Sequence, residues 1–323
     1  MLDQGTLIVS LDFELYWGVR DKRSVAAYAE NLEAVHTVIP RLLDLFKAYE
    51  IHASWASVGL LFAENSLDAC RYLPDQKPSY TDKKLSPYSE LDIENITVQE
   101  EKYYFAKQLL DLIKACPHQE IASHTFSHYY CLESGQTVDE FAADIAAAKS
   151  IASENDMLLQ SLVFPRNQYS DKYLTAAYNA GIRTFRGNEP SRLHQPRNEE
   201  QLSLPIRGMR LLDSYINISG KHSYNLPKAN NQLVDLASSC FLRAYSHRLR
   251  HFEWLKRKRI TSVMKQAAKK NQFYHLWWHP HNFGKNTDIN FANLERLFEY
   301  YQKLKNNYNM QSLTMAEVYE RYY

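Results

Sequence analysis

Residues 6–13, TLIVSLDF, are short, β-branched and apolar, and residues 31–51, NLEAVHTVIPRLLDLFKAYEI, place Val35, Val38, Leu42, Leu45 and Phe46 at helical spacing. The two read as a strand followed by a helix. The unit repeats: HASWASVGLLF (52–62) is the next strand and its exit, then come a helix near 98–114, a strand near 119–123, a helix over 137–154, a strand over 161–165, a helix over 171–180 and IRTFRG (182–187). Such alternation predicts an α/β protein with a parallel sheet covered by helices, open or closed into a barrel.

Two excursions break the rhythm. Residues 65–97 carry Pro74, Pro78 and Pro87, and the stretch from 187 carries Pro190, Pro196, Pro205 and Pro227. Both read as long loops inserted on the scaffold, over about 65–97 and 187–260, of the kind that form lids or binding loops. No linker or repeat divides the 323 residues, so 1–323 is expected to be one domain.

Lys and Arg total 38 against 37 Asp and Glu, which argues against a nucleic-acid binder with a global basic field. The charge is uneven, however: residues 243–270 hold ten Lys or Arg and one Glu, with Tyr245, Phe252 and Trp254 interleaved. That run reads as a solvated helix face or as a peripheral contact for an anionic membrane. No secretory leader, no spanning apolar stretch and no CxxC pair among Cys70, Cys116, Cys131 and Cys240 is visible, so a cytoplasmic protein is expected.

Three stretches carry chemistry. In IASHTFSHYY (121–130), His124 and His128 would converge on one ion if a helix starts near Ser123, although histidines at this spacing also occur as incidental surface residues. In SLDFE (10–14), Asp12 and Glu14 fall on one side of a strand at its C-terminal end, where α/β folds put their sites. In FYHLWWHPHNFG (273–284), His275, Trp277, His279 and His281 would share a face, with Pro280 ending the strand at about His279.

SLDFE, SHTFSH, FPRNQ and LWWHPH stand in the order of the motifs of the polysaccharide deacetylase (NodB-homology) family, which this chain resembles. The first motif is D-x-E rather than two adjacent Asp, as in a divergent branch, and Arg166 follows Pro165 instead of preceding it. The acidic fourth motif is not evident in GIRTFRGNEP. The resemblance implies a distorted (β/α) barrel and a metal-dependent hydrolase removing an N-acyl group, as a rule N-acetyl, from an amino sugar. It implies Glu14, His124 and His128 as ligands of a divalent metal, zinc, and Asp12 as general base held by Arg166. His279 becomes the proton donor, and backbone N–H groups near Arg166 and Asn167 become oxyanion donors.

For the substrate, Tyr16 and Trp17 lie directly after the acids, and Asn167, Trp277 and His281 stand beside the motifs. The expected partner is an N-acylated sugar, an oligosaccharide or a lipid-linked glycan, with no nucleic acid. Rival readings are a deformylase or cyclic-amide hydrolase on the same fold, a glycosidase using Asp12 and Glu14, a non-haem Fe(II) oxygenase, and a degenerate glycan binder.

Overall fold

A computed structural model describes residues 2–90, 93–228 and 233–323. Its centre is β1 (Thr6–Phe13), buried along its whole length. Parallel to it run β2 (Ala53–Ser57), β3 (Gln119–Ser123), β4 (Ser161–Val163), β5 (Thr184–Arg186) and β6 (Val234–Asp235) on one flank. On the other flank lie β7 (Cys240–Phe241) and β8 (Phe273–Trp278), and β9 (Gln311–Ser312) pairs with the start of β1. The result is a curled parallel sheet: the strand–helix alternation predicts its parallel strands and covering helices, and the family resemblance its (β/α) barrel form.

Residues 234–242 bridge the two flanks. The Leu236 N–H donates to Phe185 O on β5, and the N–H groups of Ser239 and Leu242 donate to His275 O and Trp277 O on β8. This segment lies inside the stretch expected to be an insertion over 187–260, and it belongs to the sheet instead. Two strands of only two residues each, Val234–Asp235 and Cys240–Phe241, are too short to give a periodic signal in the sequence. The remainder of that excursion contains the helix Leu204–Asp213. Residues 91–92 and 229–232, parts of the two expected excursions, lie outside the described residues.

Side-chain alternation sets the two faces of the sheet. On β1, Leu7, Val9, Leu11 and Phe13 join the main core with Leu32, Val35, Val38, Leu42 and Phe46 of the helix Val25–Tyr49. The opposite face carries a second apolar cluster with Ile8 and Phe273 near the strand starts, and beyond it mostly small or polar side chains: Ser10 and Asp12 on β1, Ala56 on β2, Ala122 on β3, Val163 on β4, Arg186 on β5 and His275 on β8. Small residues in the middle of this inner layer leave room for the long side chain of Arg186 to cross to β1. The helix expected near 98–114 begins only at Lys107, because the Ala106 N–H is fixed to Leu61 O at 2.9 Å and Thr97 with Glu100 makes a side-chain turn before it.

The basic run does not all face solvent. Lys256 and Arg259, on the helix Glu253–Lys270, are buried, and Arg259 pairs with Asp213 at 2.9 Å. No described helix is long and apolar enough to cross a membrane.

His275 joins the bridging segment to β1. Its Nδ1 lies 2.7 Å from Leu236 O and its Nε2 2.8 Å from Ser10 Oγ, and burial, reinforced by Arg186, holds its pKa down at about 3. A histidine neutral when folded but free to protonate when unfolded stabilises the fold fully above pH 6.5, its ordinary value. The contribution is lost as pH falls from there toward 3. The slope from this ring is at most about 1.4 kcal/mol per pH unit. We expect urea unfolding at pH 7, 6 and 5 to show His275→Gln with a shallower acid slope than the parent, by about one proton. Identical slopes would mean the imidazole does not carry this acid sensitivity.

Candidate metal centre

The C-terminal ends of β1, β3, β5 and β8 meet at one mouth, and the residues there differ in how they arrive. Beyond Ser123 the chain does not become the expected helix. Thr125 and His128 have φ of 63° and 60°, the left-handed region that a β-branched residue seldom adopts. The N–H groups a helix would use are taken by side chains: Thr125 N–H by Ser123 Oγ, Tyr129 N–H by Thr125 Oγ1, and those of Phe126 and Ser127 by the buried carboxylate of Asp144. Asp144 also accepts from the Ser127 hydroxyl, and the loop docks on β2 through His124 N–H to Ser57 O. The imidazoles still face each other, with centroids 5.0 Å apart, but a braced turn puts them there rather than helical periodicity.

Both rings point at Glu14. Its Oε2 lies 3.0 Å from His128 Nε2 and 3.3 Å from His124 Nε2, and all three residues are buried. Gly18 makes room for this carboxylate, since a Cβ there would lie 2.0 Å from Glu14 Cδ. The second nitrogen of each ring is already engaged: His124 Nδ1 sits 2.8 Å from Val163 O and His128 Nδ1 3.1 Å from Tyr130 OH. A carbonyl can only accept, so His124 carries a proton on Nδ1, which leaves Nε2, the nitrogen facing Glu14, as the one available to a metal. Burial pushes the His128 pKa down to about 4, leaving that ring neutral as a ligand must be. Burial alone would raise the Glu14 pKa, but His279, His124 and His128 outweigh it and hold it well below the usual range. One ligand atom from each of the three residues lies within 4.8 Å of the others, and two imidazole nitrogens with one carboxylate oxygen are a donor set that fits a divalent metal. A second such group among the described residues, His52, His118 and Glu317, has its two rings stacked at 4.0 Å and 9°, so their in-plane lone pairs do not converge.

Asp12 stands beside this cluster, held from an unexpected direction. Arg186 grips it bidentately at 2.7 and 2.8 Å, and also reaches Ser10 Oγ at 3.0 Å and Asn167 Oδ1 at 3.1 Å. The guanidinium is fully buried, 3.9 Å from the Trp277 ring centroid. Burial raises the Asp12 pKa, yet Arg186 and then His279 more than offset this and leave it lowered. The expected holder, Arg166, pairs instead with Asp21 and lies over the Tyr130 ring. Arg166 and Asn167 follow Pro165 in a tight turn with both φ at 53°, which turns the Arg166 side chain toward Asp21. That turn also ties the Asn167 N–H to Phe164 O at 2.8 Å, so it is not an available oxyanion donor.

His279 completes the mouth, with Nε2 3.6 Å from both Asp12 Oδ2 and Glu14 Oε1 and a partly exposed side chain. β8 ends at Trp278, one residue before the expected stop. His281 lies in the following turn, buried against His279 and Tyr28. Tyr16 and Trp17 are not open to a ligand: Trp17 is fully buried with its indole N–H on Tyr104 O, and the buried Tyr16 donates its hydroxyl to Arg23 O. They pack on Tyr104, as aromatics after a buried strand do. Arg186 and Asp144 gave no local signal, although Arg186 occupies the last position of the strand in IRTFRG.

No protein-family model matches the chain, and comparison with curated proteins gives no match. Solved structures do match in fold. A candidate polysaccharide deacetylase from Mycobacterium smegmatis aligns with a TM-score of 0.58 at 13% identity, covering 99% of this chain and 91% of that one. The PuuE allantoinase aligns at 0.53 and 11% identity, covering 98% and 90%. A GH57-type branching enzyme from Pyrococcus horikoshii aligns at 0.57 and 11%, covering 99% and 70%. What the chain has in common with all three is the curled parallel sheet with its helices, the fold of the polysaccharide deacetylases.

Proposed function

We propose that the protein is a metal-dependent hydrolase that removes an N-acyl group from an amino sugar. The observation that carries this reading is the buried convergence of Glu14, His124 and His128, with His124 Nδ1 anchored on Val163 O so that Nε2 is the nitrogen turned to the carboxylate. Two imidazoles and one carboxylate leave positions open, the arrangement of a catalytic ion. A divalent cation such as zinc, when bound, polarises the acyl carbonyl and makes water a better nucleophile.

The chain's own residues supply the rest. Asp12, kept ionised by the buried Arg186, takes the proton of the attacking water. His279, partly exposed and 3.6 Å from Asp12, delivers a proton to the leaving amine. Trp277 and Asn167 hold Arg186 from either side and line the cavity next to the mouth, where a sugar could rest. The fold shared with a candidate polysaccharide deacetylase and an allantoinase supports an amide-hydrolysing reading. The fold shared with a branching enzyme favours the glycosidase rival less, because a glycosidase needs one carboxyl group kept protonated and both Asp12 and Glu14 are held ionised.

Elemental analysis of the purified protein is expected to find one divalent ion per chain, absent from Glu14→Gln and His128→Ala. Chelation should abolish release of acetate or formate from a panel of N-acyl amino sugars, and zinc should restore it. A metal-free protein after growth in zinc, or turnover untouched by chelator, would overturn the reading.

A further inference from the structure

Beside the metal centre lies a second, strongly cationic cavity of about 180 Å³. Asn167 and Trp277, which contact Arg186, also line it, so the two spaces share a wall. Five arginines, Arg166, Arg197, Arg210, Arg243 and Arg259, line this cavity, against two acidic residues, Glu189 and Asp213. The carboxylates are engaged: Asp213 with Arg259 and His194, and Glu189 with His194 at 3.4 Å. Asp21 answers Arg166.

Three cations remain. Among the described residues, Arg197, Arg210 and Arg243 meet no carboxylate within 4.0 Å. Their contacts are neutral. Arg197 Nη1 and Arg210 Nε both donate to Leu193 O at 3.0 Å, and the same two side chains reach Gln195 O at 3.5 and 3.3 Å. Arg243 is fixed by Ser214 Oγ at 2.9 Å. Two guanidinium ions sharing two carbonyl oxygens repel each other, and a third half-buried cation lines the same cavity. Burial, with the neighbouring Arg197 adding to it, lowers the Arg210 pKa. Placing like charges side by side without an anion is unfavourable, whereas an oxyanion accepting from several guanidinium forks relieves it.

We propose that this cavity is a phosphate subsite, taking a phosphoryl or diphosphate group carried by the sugar whose acyl group meets the metal centre. The inference rests on the amino-sugar reading above for the identity of the ligand, but not for the binding of the anion. The phosphate could join the sugar to a nucleoside or to a lipid alcohol, and the guanidinium groups recognise the feature common to both. Arg243 and Arg259 come from the basic run 243–270, whose inward cations thereby acquire a role.

The test begins with inorganic pyrophosphate, followed by calorimetry and thermal unfolding of the metal-loaded protein. Saturable, salt-sensitive binding that raises the melting temperature by several degrees is expected, and Arg210→Gln and Arg243→Gln should each weaken it about tenfold or more. Absence of binding to the unaltered protein overturns the subsite whatever the variants do. So does glucuronate binding as tightly as pyrophosphate, which would make the cavity a carboxylate site. The second arm compares kcat/KM for N-acetylglucosamine, its 1-phosphate, a nucleoside-diphosphate derivative and a short isoprenyl-phosphate derivative. Preference for any phosphorylated form by about tenfold or more supports the proposal and its pattern names the carrier. Preference for the neutral sugar overturns it. Pyrophosphate binding without turnover of any sugar supports the anion site and counts against the amidase reading alone.

Discussion

Asp12→Asn is expected to lower turnover by about 10² to 10⁴ while the bound metal stays at one ion per chain. The two acids of SLDFE sit two residues apart but have different neighbours. Glu14 faces the paired imidazoles, whereas both oxygens of Asp12 are held by Arg186, so Asp12 is positioned to accept a proton and not to bind an ion. An amide at this position keeps the shape and removes the base. It also leaves a buried guanidinium without its carboxylate, an imbalance that costs about 3–5 kcal/mol. Kinetics must therefore be measured where circular dichroism shows the variant folded, with metal content determined on the same sample. Loss of metal in parallel with activity would show that the roles of Asp12 and Glu14 had been exchanged.

The sequence makes local features legible and hides those made across the barrel. The alternation of TLIVSLDF with NLEAVHTVIPRLLDLFKAYEI predicts the parallel sheet because burying one face of each helix on a sheet is a local requirement, visible as periodicity. SHTFSH identifies two imidazoles that do converge, yet for a reason the spacing does not contain. The turn depends on Asp144, sixteen residues beyond His128, whose carboxylate takes the N–H groups a helix would have used. Arg186 was hidden for the same reason: strand parity places it on the inner face, but nothing in IRTFRG says that it reaches β1. Arg166 was the nearer candidate by motif, and the two left-handed residues after Pro165 turned it to Asp21. The inward cations of 243–270 and the sheet segment 234–242 were hidden because their partners are equally remote in sequence.

Arg186→Met is expected to destabilise the fold by about 3–5 kcal/mol and to reduce turnover about as severely as Asp12→Asn. The methionine fills part of the space and can still pack on Trp277, so the loss isolates the charge and the fork rather than the volume. With the guanidinium gone, Asp12 is a buried carboxylate that has lost its largest stabilising partner, and burial then raises its pKa and disfavours the ionised base. Arg186→Lys keeps the charge but cannot grip both oxygens while reaching Ser10 and Asn167, so it should recover stability in part and activity less. The decisive comparison is the double variant Asp12→Asn/Arg186→Met. Removing both partners leaves no orphan ion, so its loss of stability in urea should fall short of the summed single losses by about 2 kcal/mol or more. Simple additivity would mean that the two groups are not energetically coupled, and that His279 and a bound cation, rather than Arg186, keep Asp12 ionised.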